Sequence, residues 1–128
     1  MNFAIQKGYS IVLMSTEKNA PYNDEIMEGG IIEYEGHDVS SNINPDKKSV
    51  DQSLATPSGT PTENGKFFIA ASDFKNGKRD PAKVQVYRKI RKGVWVDMGF
   101  YDLIDGYELF DGTRNVFKFL LKPNFDQK

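Results

Sequence analysis

Two tyrosines, Tyr22 and Tyr34, stand twelve positions apart and bracket an acidic segment, Tyr22-Asn23-Asp24-Glu25-Ile26-Met27-Glu28-Gly29-Gly30-Ile31-Ile32-Glu33-Tyr34. A loop followed by a returning strand would bring the two rings face to face. Glu25 or Asp24 would then lie at the edge of the gap. Two parallel rings with a carboxylate at the rim suit a flat heterocycle that carries an exocyclic amine. Other chemistries are poorly supplied. With no cysteine and a single histidine, His37, the chain lacks thiolate zinc sites, thiol nucleophiles and multi-histidine metal sites. Asp46 and Asp73-Phe74-Lys75 imitate a magnesium-nuclease pattern, but one short enough to arise by chance.

The elements that must hold these residues follow from the rest of the chain. At 128 residues the sequence is sized for one domain spanning 1–128, with residues 122–128 as a tail. Tyr9–Ser15 reads as a buried strand, short and rich in β-branched residues. Gly30–Glu35 is a second strand, and 36–49 a long polar loop. Val50–Leu54 is expected to form one helical turn. Thr60-Pro61-Thr62-Glu63 has the form of a capping box, with Thr60 as N-cap and a helix running through Lys66–Phe74. Lys83–Ile90 and Val94–Phe100 form a hairpin around Arg91-Lys92-Gly93. Asp102–Phe110 and Val116–Leu121 are two further strands. Trp95 is expected in the core, and His37 on a solvent-facing loop. The sum is an α+β domain: a strongly bent or closed, barrel-like sheet of about six strands with one or two short helices.

The formal net charge of -1 argues against a non-specific polyanion binder, so any nucleic-acid contact must come from a local patch. No apolar run is long enough for a membrane span, and Ile11–Met14 is too short for a signal peptide. The default expectation is a cytoplasmic protein.

The order of motifs resembles the SRA (SET and RING associated) domain, a PUA-like barrel that reads modified cytosine in DNA. The resemblance rests on Gly8-Tyr9-Ser10-Ile11-Val12-Leu13 and on the spacing of Tyr22, Asp24, Glu25, Gly29, Tyr34 and Gly36. It continues through Asp51-Gln52-Ser53-Leu54, Asn64-Gly65-Lys66-Phe67-Phe68, Pro81–Arg88, Phe100-Tyr101-Asp102-Leu103 and Val116–Leu121. Two positions depart from the family pattern: Glu25 stands for its usual Asp, and Leu103 for the Gly of Tyr-Asp-Gly.

The resemblance implies DNA binding by base flipping, with 5-methylcytosine or 5-hydroxymethylcytosine stacked between Tyr22 and Tyr34. The acid would be Glu25, with Asp24 the near alternative, and backbone groups at Glu35 and Gly36 would hold the base edge. Phosphates would fall to Lys47 and Lys48 in the long loop, and to Lys75, Lys78, Arg79 and Lys83 around a basic turn. No catalytic residue, metal or cofactor is implied. The expected partner is duplex DNA, with an HNH-like nuclease fused or associated, as in bacterial modification-dependent restriction. A PUA-like module for RNA or a small ligand is the alternative.

Overall fold

Alternation of apolar and polar residues builds the central strands. In Tyr9–Met14, Ser10, Val12 and Met14 are buried, whereas Leu13 is 49% exposed. This strand is therefore covered on one face only, not on both as its apolar run suggests. The computed structural model describes residues 1–6, 8–40 and 44–125. Among these, seven strands form one mixed sheet: β1 (Asn2–Gln6), β2 (Tyr9–Met14), β3 (Glu25–Ile26), β4 (Ile32–Glu35), β5 (Ala82–Arg91), β6 (Val94–Phe110) and β7 (Asn115–Pro123). Their order is β1-β2-β5-β6-β7-β4-β3, an open and bent sheet with one helix, α1 (Glu63–Lys75). The β2–β5 pair is parallel, and every other pairing is antiparallel.

The core lies between the sheet and α1. Phe67 of the helix meets Phe3 edge-on, with ring centroids 5.2 Å apart, and Phe119 at 5.9 Å. Ala70 and Ala71 let the helix approach closely, and Gly106 has no room for a side chain: a Cβ there would stand 3.2 Å from the Phe119 ring and 3.4 Å from Ala71.

Several expectations are corrected. The N-cap is Thr62, whose hydroxyl accepts from the Gly65 N–H and donates to Ser53 O; Glu63 instead accepts from the Phe3 N–H. Val50–Leu54 forms no helical turn, because the Gln52 N–H is spent on Asn115 O of β7 and its side-chain oxygen accepts from the Phe117 N–H. The segments expected as two strands on either side of Tyr101 are one strand, β6, with a register shift between Leu103 and Asp105. No helix among the described residues is long and apolar enough to cross a membrane.

Candidate nucleic-acid interface

The segment from Pro21 to Asp38 doubles back along β4 and sets three rings in a row. Tyr22 stacks on His37, centroids 4.7 Å apart and planes within 3°. His37 lies 6.3 Å from Tyr34, tilted by 39°, and its Nε2 is 3.2 Å from the Tyr34 hydroxyl. The gap expected between the tyrosines is thus filled by the imidazole. His37 is not a solvent-facing loop residue, and Tyr34, 2% exposed, belongs to the core cluster rather than to an open wall.

Burial sets the protonation of all three rings. It pulls His37 down to a pKa of about 4, helped by the nearby N-terminal ammonium, so the ring is neutral. It pushes Tyr34 well above the ordinary phenol value and raises Tyr22 as well. Tyr34 therefore remains a hydrogen-bond donor, able to serve Nε2 of the Nδ1–H tautomer. Tyr22 accepts from the Asp38 N–H at 3.3 Å, and the Lys48 ammonium lies 4.3 Å from its ring centroid.

Of the two candidate acids, Asp24 faces inward. It is 6% exposed, and its two oxygens accept from the Glu35 N–H at 2.9 Å and the Ser15 N–H at 3.2 Å. Burial raises its pKa to about 6 despite those donors. Each carboxylate oxygen keeps a second lone pair. Glu25 is exposed on the two-residue β3, opposite Glu33. Asp24 precedes that strand and is drawn inward by the Ser15 and Glu35 N–H groups, whereas both residues of β3, Glu25 and Ile26, are exposed.

Tyr22, Asp24 and His37 line a cavity of about 560 Å³ together with Leu13, Met14 and Trp95, a size typical of ligand sites. Trp95 is 43% exposed at this lip, not in the core. A second cavity, about 450 Å³, lies along the other side of the 37–40 loop and includes His37, Ser53, Pro57 and Asn64. His37 lines both.

Behind the rings is a buried charge network. Arg114 binds Asp38 at 2.6 Å and the carbonyls of Lys47 and Val50 at 2.9 and 3.1 Å. Lys118 binds Asn23 O at 2.7 Å and Glu35 at 3.4 Å. Glu35 is thus a buried partner of Lys118, Gln52 and the Asn23 N–H. Gly36 is required by close approach: a Cβ would stand 2.7 Å from Asn64 Oδ1. Burial opposes ionisation of Asp38, but hydrogen bonds from Lys48, Arg114 and Gln52 outweigh it and hold the pKa below the usual value. The sequence reading passed over Arg114 and Lys118. Their signal was the pair of acids, Glu35 and Asp38, beside a buried strand, since buried carboxylates need cationic partners.

The expected phosphate contacts are scattered. Lys47 is exposed, and Lys48 folds back onto Asp38 at 2.6 Å and Pro21 O at 2.7 Å. Lys75 is paired with Asp105 at 2.8 Å. Lys78, Arg79 and Lys83 are exposed around the start of β5. The parallel register, Ser10 with Val84 and Met14 with Arg88, puts that start at the opposite end of the sheet from Ser15 and Tyr22. These three do not share a surface with the ring stack.

No family model matches the chain, and no curated protein does. Solved structures do. An SUVH5 SRA domain in complex with hemi-methylated CG DNA superposes with a TM-score of 0.62 at 24% identity, covering 93% of this chain. The same domain bound to fully hydroxymethylated CG DNA gives 0.61 at 23% identity over 92% of this chain. The chain has the SRA fold. KRYPTONITE in complex with mCHG DNA and SAH gives 0.58 at 18% identity, over 93% of this chain and 23% of that one. The chain spans 67% and 66% of the two SUVH5 chains.

Proposed function

We propose that this domain binds duplex DNA containing modified cytosine and takes the extruded base into the slot that His37 fills in the free protein. The observation that carries this reading is Asp24, a buried carboxylate with unused acceptor capacity beside a stacked ring pair, in a fold shared with SRA domains solved on methylated and hydroxymethylated DNA. The base would replace the imidazole against Tyr22, with Tyr34 at its far side. Its N4–H₂ group would donate to Asp24. Thymine presents an acceptor at the same place and would leave the carboxylate facing an unpaired lone pair. Base–aromatic stacking contributes roughly 1–3 kcal/mol per base, the order of the few kcal/mol that extrusion costs. The 5-methyl group adds only about 0.8 kcal/mol on burial, so recognition of the modification is a smaller term than recognition of cytosine itself.

The domain itself is read as non-catalytic. A nuclease joined to it, or supplied by a partner, would make it the specificity element of a modification-dependent restriction system. The deciding experiment titrates the protein with labelled duplexes carrying cytosine, 5-methylcytosine or 5-hydroxymethylcytosine at fixed salt. Tighter binding to at least one modified duplex is expected. Equal, weak binding to all three would remove this reading.

A further inference from the structure

The β5–β6 hairpin outruns its neighbours. The last β2 residue paired with β5 is Met14, opposite Arg88, and β7 pairs with β6 only from Tyr101 onward. Past these points the two strands continue as a ribbon, pairing Arg88 with Val96, Lys89 with Trp95 and Arg91 with Val94. Residues 90–97 are all exposed, among them Ile90 at 51%, Trp95 at 43% and Val96 at 43%. The stretch 88–97, Arg-Lys-Ile-Arg-Lys-Gly-Val-Trp-Val-Asp, holds four basic residues and one acid, a local charge of +3 on a chain of net charge -1. Asp97 is turned away from the tip, accepting from the Gly99 N–H and Gln85. Among the described residues, Arg91 and Lys92 have no acidic partner. Trp95 and Lys89 line the cavity that contains Tyr22, Asp24 and His37, so the ribbon rises from the lip of the proposed base site.

We infer that this ribbon is the main DNA-gripping element, lying in the groove beside the extruded base, with Arg91 and Lys92 on phosphates and Trp95 against the neighbouring nucleotide. The inference rests on the base-binding reading above and names the surface that reading lacks. The major groove, about 12 Å wide, admits a two-stranded ribbon. The charge is complementary to DNA: at the base of the ribbon Arg88 donates to Thr16 and Lys89 faces Glu17 at 3.8 Å, while at the tip Arg91 and Lys92 are left to solvent. Lysines on an open strand edge also discourage sheet-to-sheet aggregation, but that role alone does not call for a tryptophan at the cavity lip.

The test compares the wild-type chain with the Arg91→Ala/Lys92→Ala double variant on unmodified and 5-methylcytosine duplexes over a range of NaCl concentrations. Both side chains are exposed at a turn, so the variant should melt as the wild type does. The expected result is weaker binding to both duplexes by the same factor, with the slope of log K against log salt shallower by about 1.8, or 0.9 per lost phosphate contact. Trp95 is the chain's one tryptophan, so its emission reports on the ribbon, and a change on adding either duplex is expected. An unchanged salt slope in the double variant overturns the inference, whatever the emission does. If the wild type binds both duplexes equally and the slope still falls in the variant, the ribbon stands and the modified-base reading fails. Absence of any duplex binding removes both.

Discussion

The two ends of the parallel β2–β5 pair both carry cations and use them differently. At the end where β2 runs into Ser15, buried charges are tied into the fold. Arg114 and Lys118 hold Asp38, Glu35 and the backbone of the 47–50 loop, and that brace supports the Tyr22–His37 stack. At the end where β5 begins, Lys78, Arg79 and Lys83 lie on the surface, Lys83 over the Phe100 ring at 5.4 Å, and among the described residues no buried acid pairs with them. Basic residues in a sequence thus mark opposite things: buried behind the slot, Arg114 and Lys118 build a rigid site, whereas Lys78 and Arg79 solvate a turn. What separates the two is the company of buried carboxylates.

The largest effect that would test this contrast is on stability. Arg114→Ala leaves buried Asp38 with the half-exposed Lys48 as its one remaining cation, strands Glu35 with Lys118 alone, and releases two loop carbonyls. It should lower unfolding free energy by about 3–5 kcal/mol in denaturant titration, whereas Lys75→Ala, which breaks an exposed pair, should cost about 1 kcal/mol or less. Next come the binding effects. Asp24→Asn should reduce discrimination of modified cytosine from thymine by about 1.5–3 kcal/mol, the range for a hydrogen bond to a charged group. Tyr22→Ala should weaken modified-duplex binding by about 1–3 kcal/mol. If neither variant changes anisotropy titrations, the slot end has no special role.

The pH behaviour of the slot is a finer discriminator. Asp24, raised to about 6, binds a proton in the folded state that the unfolded chain has lost, so its contribution to stability falls as pH rises from about 4 to 6. His37, lowered to about 4, does the reverse: the unfolded chain takes up the proton first, and stability rises with pH across about 4 to 6.5. The two slopes oppose each other in the wild type. His37→Gln should expose the falling slope in melts between pH 4 and 6, and Asp24→Asn the rising one. Identical pH profiles for all three proteins would show that neither group is perturbed as described. Smallest of all, Lys78→Ala/Arg79→Ala should leave the salt dependence of duplex binding as it is in the wild type. A shallower slope there would erase the distinction between the ends.

Much of this architecture was legible in the residues. The Val84 and Val86 alternation and the Lys92-Gly93 turn marked the β5–β6 hairpin, and the Thr/Pro/Glu cluster before Phe67 placed α1 to within a few positions. The order of motifs pointed to the SRA fold. The site was harder to read for physical reasons. Asp24 and Glu25 are neighbours of the same charge, and only contacts with N–H groups 9 and 11 positions away, on Ser15 and Glu35, decide which is buried. His37 looked like loop because nothing local shows that Asn64, 27 positions away, holds it. Trp95, on the hairpin, reads as core because no local pattern reveals that β2 and β7 stop short of it. Val94–Phe100 and Asp102–Phe110 read as two strands, whereas Tyr101 joins them in one long bulged strand.

Asn64 grips His37 through both main-chain polar groups, accepting from its N–H at 2.8 Å and donating to its carbonyl at 2.8 Å. The polypeptide at this point is anchored to α1, and only the imidazole is left to pivot. Admitting a guest ring would then require a χ1 rotation towards the neighbouring 450 Å³ cavity, with no refolding of the loop. Rotation of one side chain is among the faster protein motions, so on this account the pace of occupancy would be governed by the opening of the double helix and not by the protein.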